Sequence, residues 1–594
     1  MLDSCCRGVK SVRFKGPSPW PVTLSFLLLT TQAAARFPAI IDFSQTTADV
    51  AIFGATPNDK TGYRFTSGDY NGDGSTDVVV LSEGQLGISG FPFFHILWGG
   101  VSLPSVVDFA NYSGEVSYVR AVTGDDGFWA HVESGDFNGD GIDDIALGMP
   151  CTTFNCTGKV YLIFGTPDFP DTIDLTSPTI IIVTLIGIPG GPGFGGFFGW
   201  ALSAGDINGD AIDDLVIAAP ELSPGGQIYV FWGGQAMLPI IEMSNPTTNV
   251  SRLIDPRSGS SGWSLACGDV NADGFDDVLI GGSEVMLLTG AATLPDTVLL
   301  TTPIVKRYHG LQSFGAQVEL ADFDGDGYDD SVISMPYSSP FGCEHCGEVT
   351  VSYAGETLED TIVVTAPNTA VTRLFGVGVV QRYGWSLASG DLNGDGYDDL
   401  LIGSRPDEYD QGDVGKVTIA YGSASPPDSL LLGTEFSVTR VYAERRSDDF
   451  GAGLHSCDVN MDGVLDMLIG APLAPAAGRA RAGLAYVQNG MPESTSVGRN
   501  AQGHWILGQN YPNPFNPHTH IPILLGTRAE VELVVYDVVG RPIKTLLSDH
   551  LEAGRYQIPW DGTDELGQPV ASGIYFYRLV AASFFHSRKM VLLR

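Results

Sequence analysis

The sequence predicts an all-β protein, a seven-bladed β-propeller followed by a small immunoglobulin-like β-sandwich. A nine-residue acidic pattern occurs seven times between residues 69 and 466, with starts 53 to 70 residues apart. A repeat of that length suits one four-stranded propeller blade and is too long for a solenoid unit. The 594 residues contain 75 glycines and 36 prolines without a collagen-like period. This composition favours short strands joined by many tight turns.

The net charge limits what the protein binds. Asp and Glu number 69 against 31 Lys and Arg, which gives a formal charge of −38. Such a charge repels phosphate backbones and anionic lipid headgroups, so nucleic acid binding is excluded as the main function. Hydrophobic residues make up 43% of the chain. This share is enough for a packed core and excludes intrinsic disorder of the bulk.

Residues 1–35 predict a secretory signal peptide that is removed from the mature chain. Basic residues between Arg7 and Lys15 precede an apolar run from Trp20 to Leu29, and three alanines end at Ala35. The run has ten residues, whereas a membrane anchor, the alternative, needs about 20. Since no longer apolar run follows, we expect an exported mature chain without a transmembrane segment.

Three further elements accompany each acidic pattern. An aromatic residue and a glycine precede it, as in Phe198-Gly199. A short apolar strand such as Leu215 to Pro220 follows it directly, and a later strand such as Ile228 to Gly233 ends in glycine. Seven copies predict seven units over residues 36–490, and closing them into a ring leaves only short protected edges. An early strand between Asp42 and Phe53 then completes the last blade. The sequence leaves open at which point of each repeat a blade begins.

The acidic pattern itself predicts calcium sites. Positions 1, 3 and 5 carry carboxylates or amides, position 6 is usually glycine, and position 9 is always aspartate. Calcium takes six to eight oxygen ligands at about 2.3–2.6 Å, and a short bent loop of this kind brings several oxygens to one point. We expect a backbone carbonyl at position 7 to add another ligand. An EF-hand is excluded, because position 12 is apolar, as in Val80, where an EF-hand needs a glutamate.

The alternative to a metal site is a polar turn held by its own side chains. Three or four carboxylates within nine residues repel one another strongly unless a cation lies between them, which favours the metal. The seven loops therefore predict up to seven Ca²⁺ sites. The predicted ligands are Asp69, Asn71, Asp73, Asp77, Asp136, Asn138, Asp140, Asp144, Asp206, Asn208, Asp210, Asp214, Asp269, Asn271, Asp273, Asp277, Asp322, Asp324, Asp326, Asp330, Asp391, Asn393, Asp395, Asp399, Asp458, Asn460, Asp462 and Asp466.

These motifs resemble FG-GAP repeats, the units of integrin α-subunit N-terminal propellers and of many bacterial secreted proteins. The aromatic-Gly-Ala frame, the Asp-x-Asn-x-Asp-Gly-x-x-Asp loop and the Gly-Ala-Pro strand end carry the resemblance. It implies a calcium-binding propeller whose surface binds an extracellular protein or glycan or serves as a scaffold. Three positions depart from the pattern: Ala211 replaces the loop glycine, Asp324 replaces asparagine, and Ile280 to Ser283 replaces the Gly-Ala-Pro ending.

Cysteine placement is typical of an exported protein. Cys151 with Cys156, and Cys343 with Cys346, lie in equivalent loops of the second and fifth units, and each pair is expected to form a local disulfide. A redox or zinc site at the second pair is the alternative, although a further ligand pair is missing there. The two other cysteines of the propeller are expected to be buried thiols: Cys267 and Cys457.

Residues 504–594 predict a separate β-sandwich after a linker over residues 491–503. Alternating strands run from Val531 to Val538 and from Gly573 to Val580, which suits a small immunoglobulin-like fold. The module resembles C-terminal sorting domains of the type IX secretion system, which are similar to the immunoglobulin-like domain of flagellar hook-capping proteins. The residues that carry this resemblance are Asn510 to Pro517, Tyr536 to Gly540, Trp560 to Gly562, Ser572 to Tyr575 and Arg588 to Arg594.

The sorting resemblance implies contact with the secretion machinery and a location outside a Gram-negative bacterium, either secreted or on the outer cell surface. An immunoglobulin-like spacer is the alternative. The leading function is a non-enzymatic binding or adhesion module. A polysaccharide lyase or hydrolase on a calcium-stabilised propeller is a second interpretation, and a structural surface-layer role is a third. The sequence lacks a His-Glu-x-x-His, a Gly-x-Ser-x-Gly and a phosphate-binding loop, so no catalytic residue is predicted.

The loops and the longer connections are expected to have different tasks. Because the loop oxygens are needed for the ion, the loops should brace the blades rather than contact a ligand. The longer connections, such as Ile186 to Phe198 and Arg405 to Gly415, are expected to form the binding surface.

Overall fold

A computed structural model of the chain describes the fold at the level of side chains. It describes residue 37, residues 40–43, and residues 47–593 apart from 84–92, 100–102, 112–115, 121–129, 151–156, 176–179, 190–195, 224, 235–236, 245–248, 258–259, 310–316, 341–342, 356–357, 359–360, 364–370, 378–380, 406–414, 433–437, 443–447, 491–505, 508–509, 511–514, 516, 526–527, 538–540, 552–553 and 582–583. The predicted signal peptide lies outside these residues. None of the described residues forms a helix long and apolar enough to cross a membrane.

Seven sheets, named blades 1 to 7 in chain order, form the propeller. Each blade has four antiparallel strands that neighbour one another in order across the sheet. These are Thr61–Gly68, Asp77–Ser82, Phe93–Leu97 and Val116–Arg120 in blade 1, and His131–Gly135, Asp144–Met149, Lys159–Ile163 and Ile182–Ile186 in blade 2. Blade 3 contains Leu202–Gly205, Asp214–Ala219, Gln227–Phe231 and Val250–Ile254, and blade 4 contains Ser261–Gly268, Asp277–Gly282, Val285–Leu288 and Val305–His309.

The remaining blades repeat this plan, and the last one uses both ends of the propeller sequence. Blade 5 contains Val318–Ala321, Asp330–Met335, Glu348–Ser352 and Val371–Phe375, and blade 6 contains Tyr383–Gly390, Asp399–Ser404, Lys416–Ala420 and Val438–Tyr442. Blade 7 contains Leu454–Cys457, Asp466–Ala471, Leu484–Gln488 and the early strand Val50–Phe53. The expected closing strand is therefore confirmed.

A short fifth strand on each blade was not predicted. It pairs in parallel with the fourth strand and comes from the connection that precedes the fourth strand of the next blade. Each blade is thereby hydrogen bonded to the chain segment of its neighbour. The fifth strands are Thr172–Asp174, Ile240–Glu242, Thr297–Leu299, Thr361–Val363, Ser429–Leu431, Ile40–Asp42 and Val106–Asp108 on blades 1 to 7.

The core lies between the blades. The first strands of neighbouring blades contact each other all the way around the ring, from blade 1 to blade 7 and back to blade 1. Seven buried hydrophobic clusters each join two neighbouring blades. In each of the seven blades, all six residues of the second strand are buried. This burial explains why the sequence of these strands is a nearly continuous apolar run. One blade alone leaves both of its faces exposed, so ring closure is what stabilises it.

The C-terminal module is a sandwich of two antiparallel sheets, as expected. One sheet contains Ile506–Leu507, Thr519–Leu525 and Gly554–Trp560, and the other is ordered Pro542–Leu551, Ala529–Asp537, Gly573–Ala581 and Phe584–Leu592. Trp560, Phe515 and Tyr577 are fully buried in its core. The two strands predicted from alternation are confirmed to within one or two residues.

The described cysteines agree with the sequence-based predictions only in part. Cys343 and Cys346 are joined by a disulfide with a Cα–Cα distance of 6.0 Å, in agreement with the local pairing. Cys457 is buried as expected, whereas Cys267 is only half-buried because it packs against the edge of the hydrophobic cluster between blades 3 and 4. The Cys151 and Cys156 pair lies outside the described residues.

Candidate metal sites

The seven acidic loops join the first and second strands of every blade, which fixes the phase that the sequence left open. Each loop turns back within nine residues and is bent by left-handed residues. Gly74, Gly141, Gly274, Gly327, Gly396 and Gly463 at position 6 have φ between 83° and 89°. Ala211 has a φ of 67° at the same position, where its Cβ makes this conformation unfavourable. The turn therefore forms in the third loop, but with backbone strain.

Position 2 anchors each loop to the core. It is apolar in all seven copies, and its side chain is almost fully buried between two blades. This anchor fixes one end of the loop while the acidic side chains at positions 1 and 5 stay at least partly exposed. The residues are Tyr70, Phe137, Ile207, Val270, Phe323, Leu392 and Val459.

The carboxylate at position 1 lies at the centre of each loop. In the first loop, Asp69 accepts hydrogen bonds from the backbone N–H groups of Asp73, at 2.9 Å, and Gly74, at 2.8 Å. The same two bonds recur in the other six loops. The position 5 carboxylate accepts from the N–H of position 7, as Asp73 does from Ser75 at 2.8 Å. These bonds wrap the backbone around the acidic groups.

The carboxylate at position 9 ties the loop to the rest of its blade. It is fully buried in every copy. In blade 3, Asp214 accepts from the N–H of Gly233, just after the third strand, at 2.9 Å and from Ile207 at 3.2 Å. In four loops the position 9 carboxylate also accepts a hydrogen bond from Nδ2 of the asparagine at position 3, as Asp214 does from Asn208 at 3.2 Å. Positions 3 and 9 are thus in direct contact in these four loops, whereas the position 1 carboxylate contacts position 5 through its backbone N–H.

The fifth loop brings three carboxylates to one point. One oxygen each from Asp322, Asp324 and Asp330 lies within 4.8 Å of the others, which is a suitable arrangement for a metal ion. The Oδ1 atom of Asp324 is buried and lacks a hydrogen-bond partner. In the other six loops position 3 is asparagine, so a third carboxylate is missing at this place. The substitution that departs from the repeat pattern therefore makes the most acidic site.

Two more predicted ligands have buried oxygens without a partner. These atoms are Oδ2 of Asp399 in the sixth loop and Oδ1 of Asn460 in the seventh. A buried oxygen without a donor is unfavourable unless a cation or water binds it. Hard oxygen donors of this kind are those that calcium prefers. The donor set therefore fits a calcium ion in these loops.

Burial and mutual repulsion make the position 9 carboxylates weak acids. Burial raises the pKa of Asp77, Asp214, Asp277 and Asp466 to about 7, and that of Asp144, Asp330 and Asp399 to about 8. The negative charges of the neighbouring loop carboxylates contribute to these raised pKa values. A divalent cation offsets both effects, because its charge favours the ionised carboxylate.

The comparisons with known proteins agree with the repeated blade architecture. The FG-GAP repeat family matches residues 198–231, 383–419 and 450–487, which are the first three strands and the acidic loops of blades 3, 6 and 7. The chain carries FG-GAP repeats. In addition, the FlgD Ig-like domain matches residues 522–583, within the C-terminal sandwich.

Relatives of the FG-GAP region include two types of animal protein. Integrin alpha-PS2 of Drosophila melanogaster is 26% identical over 273 residues, covering 43% of this chain and 18% of the integrin. Phosphatidylinositol-glycan-specific phospholipase D of Homo sapiens is 28% identical over 375 residues, covering 46% of this chain and 43% of the phospholipase. The chain thus spans less than half the length of either relative.

A solved structure of PorZ, a surface component of the type-IX secretion system of Porphyromonas gingivalis, overlaps 87% of this chain and 64% of its own. The sequence identity is 12% and the TM-score is 0.27. An overlap at this level carries no argument about fold or function.

The FG-GAP loops also contain a residue that the sequence analysis missed. Position 8 is aspartate in loops 2 to 6, and its carboxylate accepts a hydrogen bond from the position 1 backbone N–H of the preceding blade. Asp143 accepts from Asp69 in this way at 2.8 Å, and its own N–H donates to the Asp69 carbonyl at 3.1 Å. The five residues that make this inter-blade bond are Asp143, Asp213, Asp276, Asp329 and Asp398.

A glycine before the loop makes room for this carboxylate. A Cβ at Gly68 would lie 2.8 Å from Oδ2 of Asp143, and one at Gly205 would lie 2.6 Å from Oδ2 of Asp276. Gly135 and Gly268 have the same relation to their neighbours. Aspartate at position 8 in five of the seven repeats is therefore the sequence signal that could have revealed the inter-blade bond, and a glycine before the loop accompanies it in four of them.

The longer connections that were expected to form the binding surface lie largely outside the described residues. Residues 190–195 and 406–414 belong to that group. Their role stays a prediction.

Proposed function

We propose that this protein is a secreted or cell-surface calcium-binding β-propeller that acts as a non-enzymatic binding or adhesion module. The proposal includes a signal peptide over residues 1–35, a propeller over residues 36–490, a linker over residues 491–503 and a sorting module over residues 504–594. Calcium stabilises the ring, and an extracellular protein or glycan is the ligand. The similarity to integrin α-subunits supports the binding role.

The fifth loop is the observation that carries the calcium proposal. Asp322, Asp324 and Asp330 present three converging carboxylate oxygens, and one of them lacks any donor. Three negative charges in one small volume are unfavourable without a counterion. The same backbone turn occurs in all seven loops, so we expect the other loops to bind the ion with fewer charges and lower affinity.

Equilibrium calcium binding to the purified full chain tests this proposal. We expect up to seven ions per chain in the wild type and one ion fewer in Asp324→Ala. Asp324→Asn is the matched control, because it recreates the asparagine of the other six loops, so it should keep the ion with reduced affinity. Absence of bound calcium at millimolar concentrations would contradict the proposal.

Thermal unfolding gives a second readout. An ion at one hundred times its Kd stabilises the folded state by about 2.7 kcal/mol for each site. Several sites together outweigh any single core contact, so a chelator should lower the melting temperature sharply. An unchanged melting temperature after complete calcium removal would show that the loops are polar turns held by their own hydrogen bonds.

The export proposal rests on the C-terminal module and the FlgD Ig-like match within it. Deleting residues 504–594 in a bacterium with a type IX system should leave the propeller inside the cell envelope. The matched control is an unrelated reporter that carries a signal peptide and residues 504–594 at its C-terminus, and it should reach the medium or the outer surface. Equal export of the truncated and full-length chains would favour an immunoglobulin-like spacer instead.

The polysaccharide-degrading enzyme remains a second candidate because of one feature. Glu133 and Glu319 both line the central cavity of the ring, and paired carboxyl groups are what glycoside hydrolysis requires. Release of reducing ends from a polysaccharide, abolished in Glu319→Gln, would support this candidate. The binding-module proposal expects no release.

A further inference from the structure

The first strands of the seven blades enclose a cavity of about 720 Å³, a volume typical of small-molecule sites. Trp200, Trp263 and Trp385 line it together with Tyr63. Each of these side chains comes six residues before the first aspartate of its FG-GAP loop. The aromatic group therefore lies at the opposite end of the first strands from the calcium loops, about 20 Å away.

The aromatic side chains form a wall at this end of the cavity. The rings of Trp200 and Trp263 meet edge to face, with centroids 4.8 Å apart and an interplanar angle of 87°. Phe197 stacks on Trp200 at 5.3 Å. On the blade 6 side, the guanidinium of Arg405 lies 4.8 Å from the ring centre of Trp385. These contacts hold the rings in fixed orientations, so the wall is formed before a ligand arrives.

Polar side chains follow further along the same strands. Arg64, His131 and Gln317 come one residue after the aromatic position, and Glu133 and Glu319 come three residues after it. Nε of Arg64 and Nδ1 of His131 are buried and lack a hydrogen-bond partner among the described residues. Leaving such buried groups without a hydrogen-bond partner is unfavourable. The polar part of the cavity is therefore suited to a ligand that carries hydroxyl groups.

The charges of the lining disfavour a charged ligand. Arg405 pairs with Asp449 at 2.7 Å, and the other charged groups of the lining are Arg64, Glu133 and Glu319. Burial raises the pKa of Glu133 to about 7 and that of Glu319 to about 8, so the cavity is close to neutral at pH 7. A cation would meet Arg64 and Arg405 in the lining, and an anion would meet Glu133, which is about half ionised at pH 7. A purely apolar ligand would leave the buried nitrogens unpaired.

We propose that the aromatic end of this cavity binds a neutral pyranose at the end of a glycan chain, an inference that rests on the proposed binding function. A pyranose has an apolar C–H face that stacks on an indole ring and a rim of hydroxyls that donate and accept hydrogen bonds. The tryptophan wall matches the first feature, and the polar side chains beyond it match the second.

Calorimetric titration of the calcium-loaded full chain tests the site. The probes are neutral tetrasaccharides of glucose and of mannose in α and β linkage, with tetragalacturonate and choline as the anionic and cationic probes. We expect binding of at least one neutral tetrasaccharide with a change in tryptophan fluorescence, and weak or absent binding of the charged probes. Trp263→Ala and Gln317→Ala should each weaken the affinity at least tenfold. Tyr118→Ala, which removes an exposed aromatic side chain on an outer strand of blade 1, is the control and should leave the affinity unchanged.

Each outcome bears on the proposal. Equal affinity of the wild type, Trp263→Ala and Trp200→Ala, with melting temperatures close to that of the wild type, would overturn the placement of the site. Tighter binding of choline or tetragalacturonate would overturn the ligand class. If a protein and glycan array shows another ligand and no neutral sugar, the cavity proposal fails while the binding function stands. If the array shows no ligand at all, both fail.

Discussion

The position 8 aspartates give a direct test of how the blades are held together. Replacing Asp143 with alanine removes the 2.8 Å bond from the backbone N–H of Asp69 in the preceding blade. That N–H is half-buried and then lacks its partner. A hydrogen bond to a charged acceptor contributes about 1.5–3 kcal/mol, so Asp143→Ala should lower the free energy of unfolding by about 2 kcal/mol. Guanidinium unfolding, measured with calcium and with a chelator, provides the readout.

Two variants separate the inter-blade bond from other effects. Asp143→Asn keeps an acceptor oxygen, and a hydrogen bond to a neutral acceptor still contributes about 1 kcal/mol. The free energy of unfolding of this variant should therefore fall by less than about 1 kcal/mol. Thr76→Ala changes the equivalent position of the first loop, which has no carboxylate, and should lose less than about 0.5 kcal/mol. A loss below 0.5 kcal/mol for Asp143→Ala would refute the reasoning. A loss that appears only with calcium would show that Asp143 acts on the metal site instead.

Three further predictions follow from the structure. Ala211→Gly should stabilise the chain by about 0.5–1 kcal/mol in chelator, because relief of the left-handed strain outweighs the added chain entropy; Gly141→Ala, whose Cβ would meet open space, should do the reverse. Glu319→Gln should raise the melting temperature at pH 9 and change it little at pH 5. The pKa of Glu319 is about 8 in the folded chain, above its value in the unfolded chain. The free energy of unfolding of the wild type therefore falls by at least about 1 kcal/mol as the pH rises from the unfolded to the folded pKa. A difference in melting temperature between the variant and the wild type that does not change with pH would contradict this. Asp395→Ala should weaken calcium binding and stability without abolishing ligand recognition in a pull-down assay, whereas loss of recognition with stability intact would assign that loop to the ligand.

The local features of the blades were predictable because their causes lie within a few residues. Glycine at position 6 indicates the left-handed turn, and apolar runs such as Leu215 to Pro220 indicate strands buried on both faces. The recurrence of these signals at a blade-length interval was enough to predict seven blades. The closing strand near Val50–Phe53 followed from the need to complete the last blade.

Features that depend on a neighbouring blade were not predictable from one repeat. The fifth strands, such as Thr172–Asp174, pair with a partner that only the ring geometry selects. The same holds for Asp143, whose carboxylate accepts from a residue 74 positions earlier. The cavity was missed for a similar reason, because Trp200, Trp263 and Glu319 come from three blades and meet only at the axis.

The distribution of the inter-blade bonds also indicates where the ring is weakest. Loops 1 and 7 have Thr76 and Leu465 at position 8, so both interfaces of blade 7 lack the aspartate bond. Leu465 instead packs against Gly390, whereas four other blades place a carboxylate against the equivalent glycine of the preceding blade.

Blade 7 is also the blade that the two ends of the propeller sequence build together. Its closure depends on the pairing of Val50–Phe53 with Leu484–Gln488. Asp49 reinforces this pairing, because it accepts from the Gln488 side chain at 2.6 Å and from the Asn489 N–H at 2.9 Å. Local opening starts where few bonds must break, so the ring should open first at blade 7. Under the calcium proposal, we therefore expect the ion to have its largest effect on stability at these two interfaces, because no position 8 carboxylate supports them.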